Sequence, residues 1–196
     1  MAAVKEIYQL IDNFAPFETQ MDFDNAGFLV GRGDSAVERV LVALDITKVV
    51  VEEAVRRDCQ LIVSHHPVIF GGVKSVTDET VTGRVLLALA ENGLSAICAH
   101  TNLDAAESGV NDCLAQRLGL TDTALLEQEG TVRRGRPYGI GRIGQVHRPG
   151  LSGAEYAAYV KEKLGANSVR FEDAGIPVSR VAVGGGSCGS MLEQVY

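Results

Sequence analysis

The chain has 196 residues, with 18 basic against 25 acidic side chains for a formal charge of −7, and 46% of its residues are hydrophobic and 22% charged. That balance is ordinary for a soluble globular domain and excludes disordered, collagen-like and coiled-coil chains. No apolar run reaches the roughly 20 residues that span a bilayer, and an acidic chain without a concentrated basic patch speaks against a nucleic-acid partner.

The N-terminal segment to Phe14 lacks the basic-then-apolar layout of a signal peptide. Cys59, Cys98, Cys113 and Cys188 form no CxxC pair and read as reduced, mostly buried thiols. The expected location is the cytoplasm.

Val4, Ile7, Leu10, Ile11 and Phe14 fall at helical spacing, and Pro16 ends that helix. A Gly- and Asp-rich stretch, Met21 to Gly33, comes next. Val40 to Leu44 is apolar, β-branched and too short for a helix, so it predicts a buried strand. Thr47 can cap the following helix, whose Glu52 and Glu53 come early and Arg56 and Arg57 late, as the helix dipole favours. Leu61 to Val63 predicts a second strand, about Val81 to Asn92 a helix stopped by Gly93, and Ser95 to Cys98 a third strand. The helix from Val110 to Leu118 ends at Gly119. Alternating apolar strands and helices predict a parallel sheet covered on both faces with right-handed crossovers.

From Thr121 to Gly135 the apolar pattern lapses and Glu127, Glu129, Arg133, Arg134 and Arg136 gather, which reads as a lobe boundary or exposed linker. A Gly-punctuated strand is expected over Tyr138 to Val146. A helix then opens on the capping box of Ser152 and Glu155 and closes at Gly165. Strands are expected near Ser168 to Phe171 and Val178 to Val183, and the residues from Met191 read as the opening of a helix. The expected fold is α/β, with parallel or mixed sheets covered by helices in two similar lobes, 1–125 and 126–196, the second incomplete.

Ligands collect beyond the carboxyl ends of strands in such sheets. Here those ends carry Asp45, then Ser64-His65-His66-Pro67, then His100-Thr-Asn-Leu-Asp104. Neighbouring side chains on a strand point to opposite faces, but at a strand end, where Pro67 turns the chain out, two imidazoles can splay around one pocket. They can serve two ions or two positions of one ion. Asp104 adds a carboxylate able to bridge a metal pair, and mixed His and carboxylate ligation suits Zn, Mn, Fe, Co or Ni better than Ca or Mg. His100 either orients a ligand or makes an ordinary loop hydrogen bond, and Asp45 either joins the site or only supports its turn. His147 reads as a loop residue.

Gly184-Gly-Gly-Ser-Cys-Gly189 matches a phosphate-cradling glycine pattern, although tight strand–helix packing accounts for the glycines equally well. Cys188 at a helix start could have a lowered pKa, but no base for it is evident. No catalytic residue and no organic-cofactor site is assigned.

Leu61-Ile-Val-Ser-His-His-Pro67 together with Ala99-His-Thr-Asn-Leu-Asp-Ala105 strongly resembles the GTP cyclohydrolase 1 type 2 family, also called NIF-three-like or dinuclear metal centre proteins. Asp24-Asn-Ala-Gly27 and the Gly184 to Gly189 loop look like two further landmarks. The resemblance implies a two-lobed fold in a hexameric ring, with two divalent metal ions per subunit in the intact protein and His65, His66 and Asp104 among the ligands. It implies a small-molecule substrate such as a nucleotide, with water opening a purine ring and releasing formate. Phe23 stands where the family more often has tryptophan, and the long insert of some members is lacking. The family's C-terminal His and Glu, four residues apart, have no counterpart after Asp104, so the resemblance makes this a C-terminally truncated short form. The expected function is that of a metal-dependent hydrolase. The alternative is a non-catalytic metal-binding scaffold or regulatory protein that acts through partners.

Overall fold

The computed structural model describes residues 1–132 and 135–195, leaving the expected linker residues Arg133 and Arg134 and the terminal Tyr196 outside the described residues. The chain divides into two compact units, Met1–Leu103 and Asp104–Tyr196. The first runs β1 (Ala2–Ala3), α1 (Val4–Phe14), β2 (Gly27–Val30), β3 (Ala36–Val37), β4 (Val40–Ala43), α2 (Lys48–Arg56), β5 (Leu61–Ser64), α3 (Val81–Glu91) and β6 (Ser95–Cys98). A short helix, α4 (Thr101–Ala105), crosses the division. The second unit holds α5 (Val110–Arg117), β7 (Thr121–Leu125), β8 (Gly130–Val132), β9 (Arg136–Tyr138), β10 (Arg142–Gln145), α6 (Gly153–Leu164) and β11 (Arg180–Val183).

The main sheet of the first unit has the order β2-β6-β5-β4. β4, β5 and β6 are parallel with Val40, Leu61 and Ser95 in register, whereas β2 runs antiparallel to β6. The sheet is therefore mixed, and β2 is a strand that the glycine-rich sequence of residues 21–33 conceals. Two apolar clusters cover the two faces. Ile62 and Ala96 pack with Val51 and Ala54 of α2 and with Val85 and Leu89 of α3, while Leu61 and Ile97 pack with Val4 and Phe17 on the other side. The helix starts follow the sequence: the Thr47 hydroxyl accepts from the Val50 N–H, and the Thr80 hydroxyl from the Gly83 N–H.

β4 departs from its expected burial. It is an edge strand, and Val42 is 77% exposed, because α1 covers the β5 and β6 side of that sheet face. Leu10 and Phe14 of α1 are likewise exposed, so only part of the apolar stripe of α1 is buried.

In the second unit an antiparallel sheet has the order β11-β10-β7, and β8 and β9 form a separate hairpin. The chain expected to link lobes at Thr121–Leu125 is thus an edge strand, with four of its five residues exposed. Polar edge strands carry no apolar alternation, which explains the misreading. The unit division falls after Leu103 rather than near residue 125. Tyr138 to Val146 is broken into β9 and β10, residues 168–171 form no strand, and the last strand spans Arg180–Val183 only. The capping box of α6 forms as expected, with Gly165 left-handed at its end (φ 62°). Residues Gly189–Gln194 form a 3-10 helix.

A core of Ala115, Leu118, Leu120, Val146 and Val183 joins α5 to the sheet. Beside it lies the buried guanidinium of Arg142, which donates to Asp112 Oδ1 and to the carbonyls of Gly139, Gly141 and Ala106. A buried charge is tolerated because it is paired and hydrogen-bonded in this way.

Candidate metal centre

The parallel ladder continues past the end of β5 and places the two adjacent histidines. The His65 N–H donates to the Ala43 carbonyl (3.3 Å) and the His66 N–H to the Leu44 carbonyl (2.9 Å). The Ser64 hydroxyl then closes on the His66 carbonyl at 2.8 Å, and Pro67 ends the run. His100 arrives from the neighbouring strand. The Ala99 N–H donates to the Ser64 carbonyl (2.9 Å), and the His100 N–H to Asn102 Oδ1 (2.9 Å). Asn102 is fully buried and also donates to the Ala15 carbonyl at 2.7 Å, tying this corner to the end of α1.

The three imidazoles converge. Ring centroids are 5.1 Å apart for His65–His66, 5.1 Å for His65–His100 and 5.5 Å for His66–His100. One ring nitrogen from each lies within 4.8 Å of the others, a grouping that can hold a metal ion. Each Nδ1 meets an acceptor: His65 the Ala99 carbonyl at 2.9 Å, His66 Asp45 Oδ1 at 2.7 Å, and His100 Asp24 Oδ1 at 2.8 Å. A neutral imidazole whose Nδ1–H donates carries its lone pair on Nε2, which is the usual arrangement behind a metal-ligating histidine. The donor chemistry of the cluster therefore fits a divalent transition metal.

His100, open on sequence grounds, thus converges with the adjacent histidines, and Asp45 pairs with His66. Asp24 entered the sequence reading only as part of a family landmark, with no role attached. Its side chain has no exposed surface. Burial by itself would raise its pKa, but the Thr101 hydroxyl, His100 and the backbone N–H groups of Thr101 and Asn25 hold it below the usual carboxylate range. Asn25 Nδ2 pins the Ile69 carbonyl at 2.6 Å, fixing the chain that follows the histidine pair. Phe70 stands edge-on to His100 (6.3 Å between centroids), and Phe23 lies beside Phe70 (6.4 Å).

Asp104 opens the second unit as a buried residue, its carbonyl accepting from Asn111 Nδ2 at 2.9 Å. Fully buried Asn111 also accepts the Gly185 N–H at 2.8 Å, so the glycine-rich loop is packed within its own unit. A Cβ on Gly184 would lie 2.4 Å from Cys188 Sγ and one on Gly185 3.1 Å from Val110 Cγ1, so packing accounts for these two glycines, whereas a Cβ on Gly186 or Gly189 would meet nothing within 4 Å. Cys188 corrects the sequence reading: burial and the Asp104 charge raise its pKa rather than lower it. His147 lines a cavity of about 570 Å³ beside α6. The four thiols are free, but of them only Cys98 is buried; Cys113 is exposed. Among the described residues no helix is long and apolar enough to cross a membrane.

Comparison with known proteins identifies the family and the fold. A GTP cyclohydrolase 1 type 2 homolog of Clostridium acetobutylicum is 32% identical over 168 residues, covering 86% of this chain and 62% of that protein. One from Streptomyces coelicolor is 36% identical over 198 residues, covering 100% of this chain and 69% of its own. The chain therefore spans about two thirds of the length of these relatives. Among solved structures, a hypothetical protein of Staphylococcus aureus superposes with a TM-score of 0.89 at 29% identity, over 98% of this chain and 75% of that one. A Bacillus cereus protein related to NIF3 superposes at 0.91 with 22% identity, over 100% of this chain and 79% of its own, a likeness of fold. The family model described as Duf34/NIF3 (NGG1p interacting factor 3) matches residues 2–196, and the chain belongs to that family.

Proposed function

We propose that the chain is a metal-dependent hydrolase of the cyclohydrolase type, acting on a nucleotide or a related small molecule. The observation that carries this reading is the convergence of His65, His66 and His100, each with its Nδ1 already engaged by an oxygen acceptor. These three imidazoles would hold a divalent ion of the Zn, Mn, Fe, Co or Ni group. Asp104 joins them as a carboxylate ligand on the strength of the motif Ala99 to Ala105, and the family resemblance raises the complement to two ions. A bound divalent ion activates water as a nucleophile at neutral pH.

The chain's own residues fix the ligands. The Ala99 carbonyl, Asp45 and Asp24 orient the three rings, and Asn25 holds the chain after Pro67 in place. The relatives' shared name as GTP cyclohydrolase homologs supports a purine nucleotide as substrate and formate as product. The resemblance further supports assembly as a homo-oligomer, with six subunits in a ring, and the four free thiols support a cytoplasmic setting.

Elemental analysis after dialysis tests the centre, on this chain and on a His65→Ala/His66→Ala variant. Metal bound by the parent chain and lost in the variant is the expected outcome, and a parent chain that binds none would overturn it. Formate release from GTP, dependent on metal and abolished by His65→Ala, tests the activity. Metal without turnover would support the scaffold alternative.

A further inference from the structure

Asp24 accepts four hydrogen bonds. Oδ1 takes the Asn25 N–H (2.7 Å) and His100 Nδ1 (2.8 Å), while Oδ2 takes the Thr101 N–H (3.0 Å) and the Thr101 hydroxyl. Two of these donors are backbone N–H groups, which cannot reverse role. Both oxygens are therefore committed as acceptors, and the proton shared with His100 belongs on the imidazole. We propose that Asp24 is a positioning residue that locks His100 in the Nδ1–H tautomer and so presents its Nε2 lone pair to the histidine cluster.

The neighbouring rings show why a dedicated residue is needed. His65 donates to the carbonyl of Ala99, which can only accept, so backbone geometry alone fixes its tautomer. His66 leans on Asp45, a pair about half exposed, where water competes for the same hydrogen bond. His100 Nδ1 instead meets the buried Asp24 carboxylate, and its tautomer rests on that group. Thr101 serves the same lock from its other side. Its hydroxyl donates to Asp24 and accepts the Met21 N–H at 2.9 Å, so the loop before Asp24 is tied to the helix that follows His100. That arrangement gives Asp24-Asn25 and His100-Thr101 one shared purpose.

The proposal rests on the metal-centre reading for its consequence, but its test does not. Long-range ¹H–¹⁵N NMR of the histidine rings in the metal-free protein at pH 8 reports each tautomer directly. His100 is expected as Nδ1–H in the parent chain. In Asp24→Asn a substantial Nε2–H fraction is expected, because a single amide oxygen cannot serve both backbone N–H groups and His100, whereas His65 stays unchanged. Cobalt(II) titration of the same two proteins should show a 10- to 100-fold weaker affinity in the variant, the usual cost of losing a residue that orients a metal-bound histidine. A parent His100 in the Nε2–H form, or an Asp24→Asn spectrum identical to the parent, would overturn the proposal. If Asp24→Asn does not fold, the parent spectrum decides by itself. Failure of the parent to bind cobalt would count against the metal centre and leave the tautomer measurement standing.

Discussion

Cys98 illustrates how far burial alone can set a residue's chemistry. Burial, with a smaller contribution from the Asp24 charge, pushes its pKa up to about 12, and its Sγ–H donates to the His65 carbonyl at 2.9 Å. Maleimide or iodoacetamide at pH 8 should therefore modify exposed Cys113 within minutes and Cys98 only after denaturation, a difference that peptide mass mapping reads directly. The sign of the pH effect follows. The folded thiol keeps its proton above the ordinary value near 8.5, where the unfolded thiol loses it, so this contribution is full below about pH 8.5 and declines as pH rises toward 12. Residue types and spacing made His65, His66 and Asp104 legible as candidates. The part of Asp24 was not legible, because a hydrogen bond between positions 24 and 100 leaves no local signature in the chain.

Among the elements, those with strong local signals match their sequence reading and those that depend on neighbours do not. α6 carries its own start in Ser152 and Glu155, whose carboxyl is held below its usual value by the backbone N–H and hydroxyl of Ser152. Ser152→Ala should cost about 0.5–2 kcal/mol in urea unfolding. The Glu155 contribution is present above the ordinary carboxylate pKa and is lost as pH falls through the depressed value. β2 shows the opposite case. Gly31 has φ +113°, and a Cβ there would meet Ser95 Oγ at 2.3 Å, so Gly31→Ala should lower the melting temperature measurably by forcing β2 away from the start of β6. A sequence search sees only a glycine-rich loop there, since a close approach to Ser95 exists only once β6 is in place.

For the whole molecule, each of the two units depends on its own interior. Leu89 is fully buried in the first, and Leu89→Ala should cost about 2–5 kcal/mol in equilibrium unfolding. Arg142 plays the comparable part in the second. Arg142→Ala removes the partner of Asp112 and three carbonyl contacts, and should cost about 3 kcal/mol or more, with a Met replacement milder than Ala. A pI near 5.1 with a net charge of −7 at neutral pH predicts a solubility minimum close to pH 5, which turbidity against pH would show.

The α/β class, most helix boundaries and the two metal-type motifs are legible from the chain alone. These depend on interactions within a few residues: apolar periodicity, side-chain caps, glycine stops, and a proline after paired histidines. Long-range packing is what makes β2 complete a mixed sheet, Thr121–Leu125 an edge strand rather than a linker, and the chain divide after Leu103. It also brought Asp24, Asp45 and His100 to one cluster. Pairing partners and buried acceptors are chosen across tens of residues, by which surfaces exclude water together, and that choice is not written in any local window of the chain.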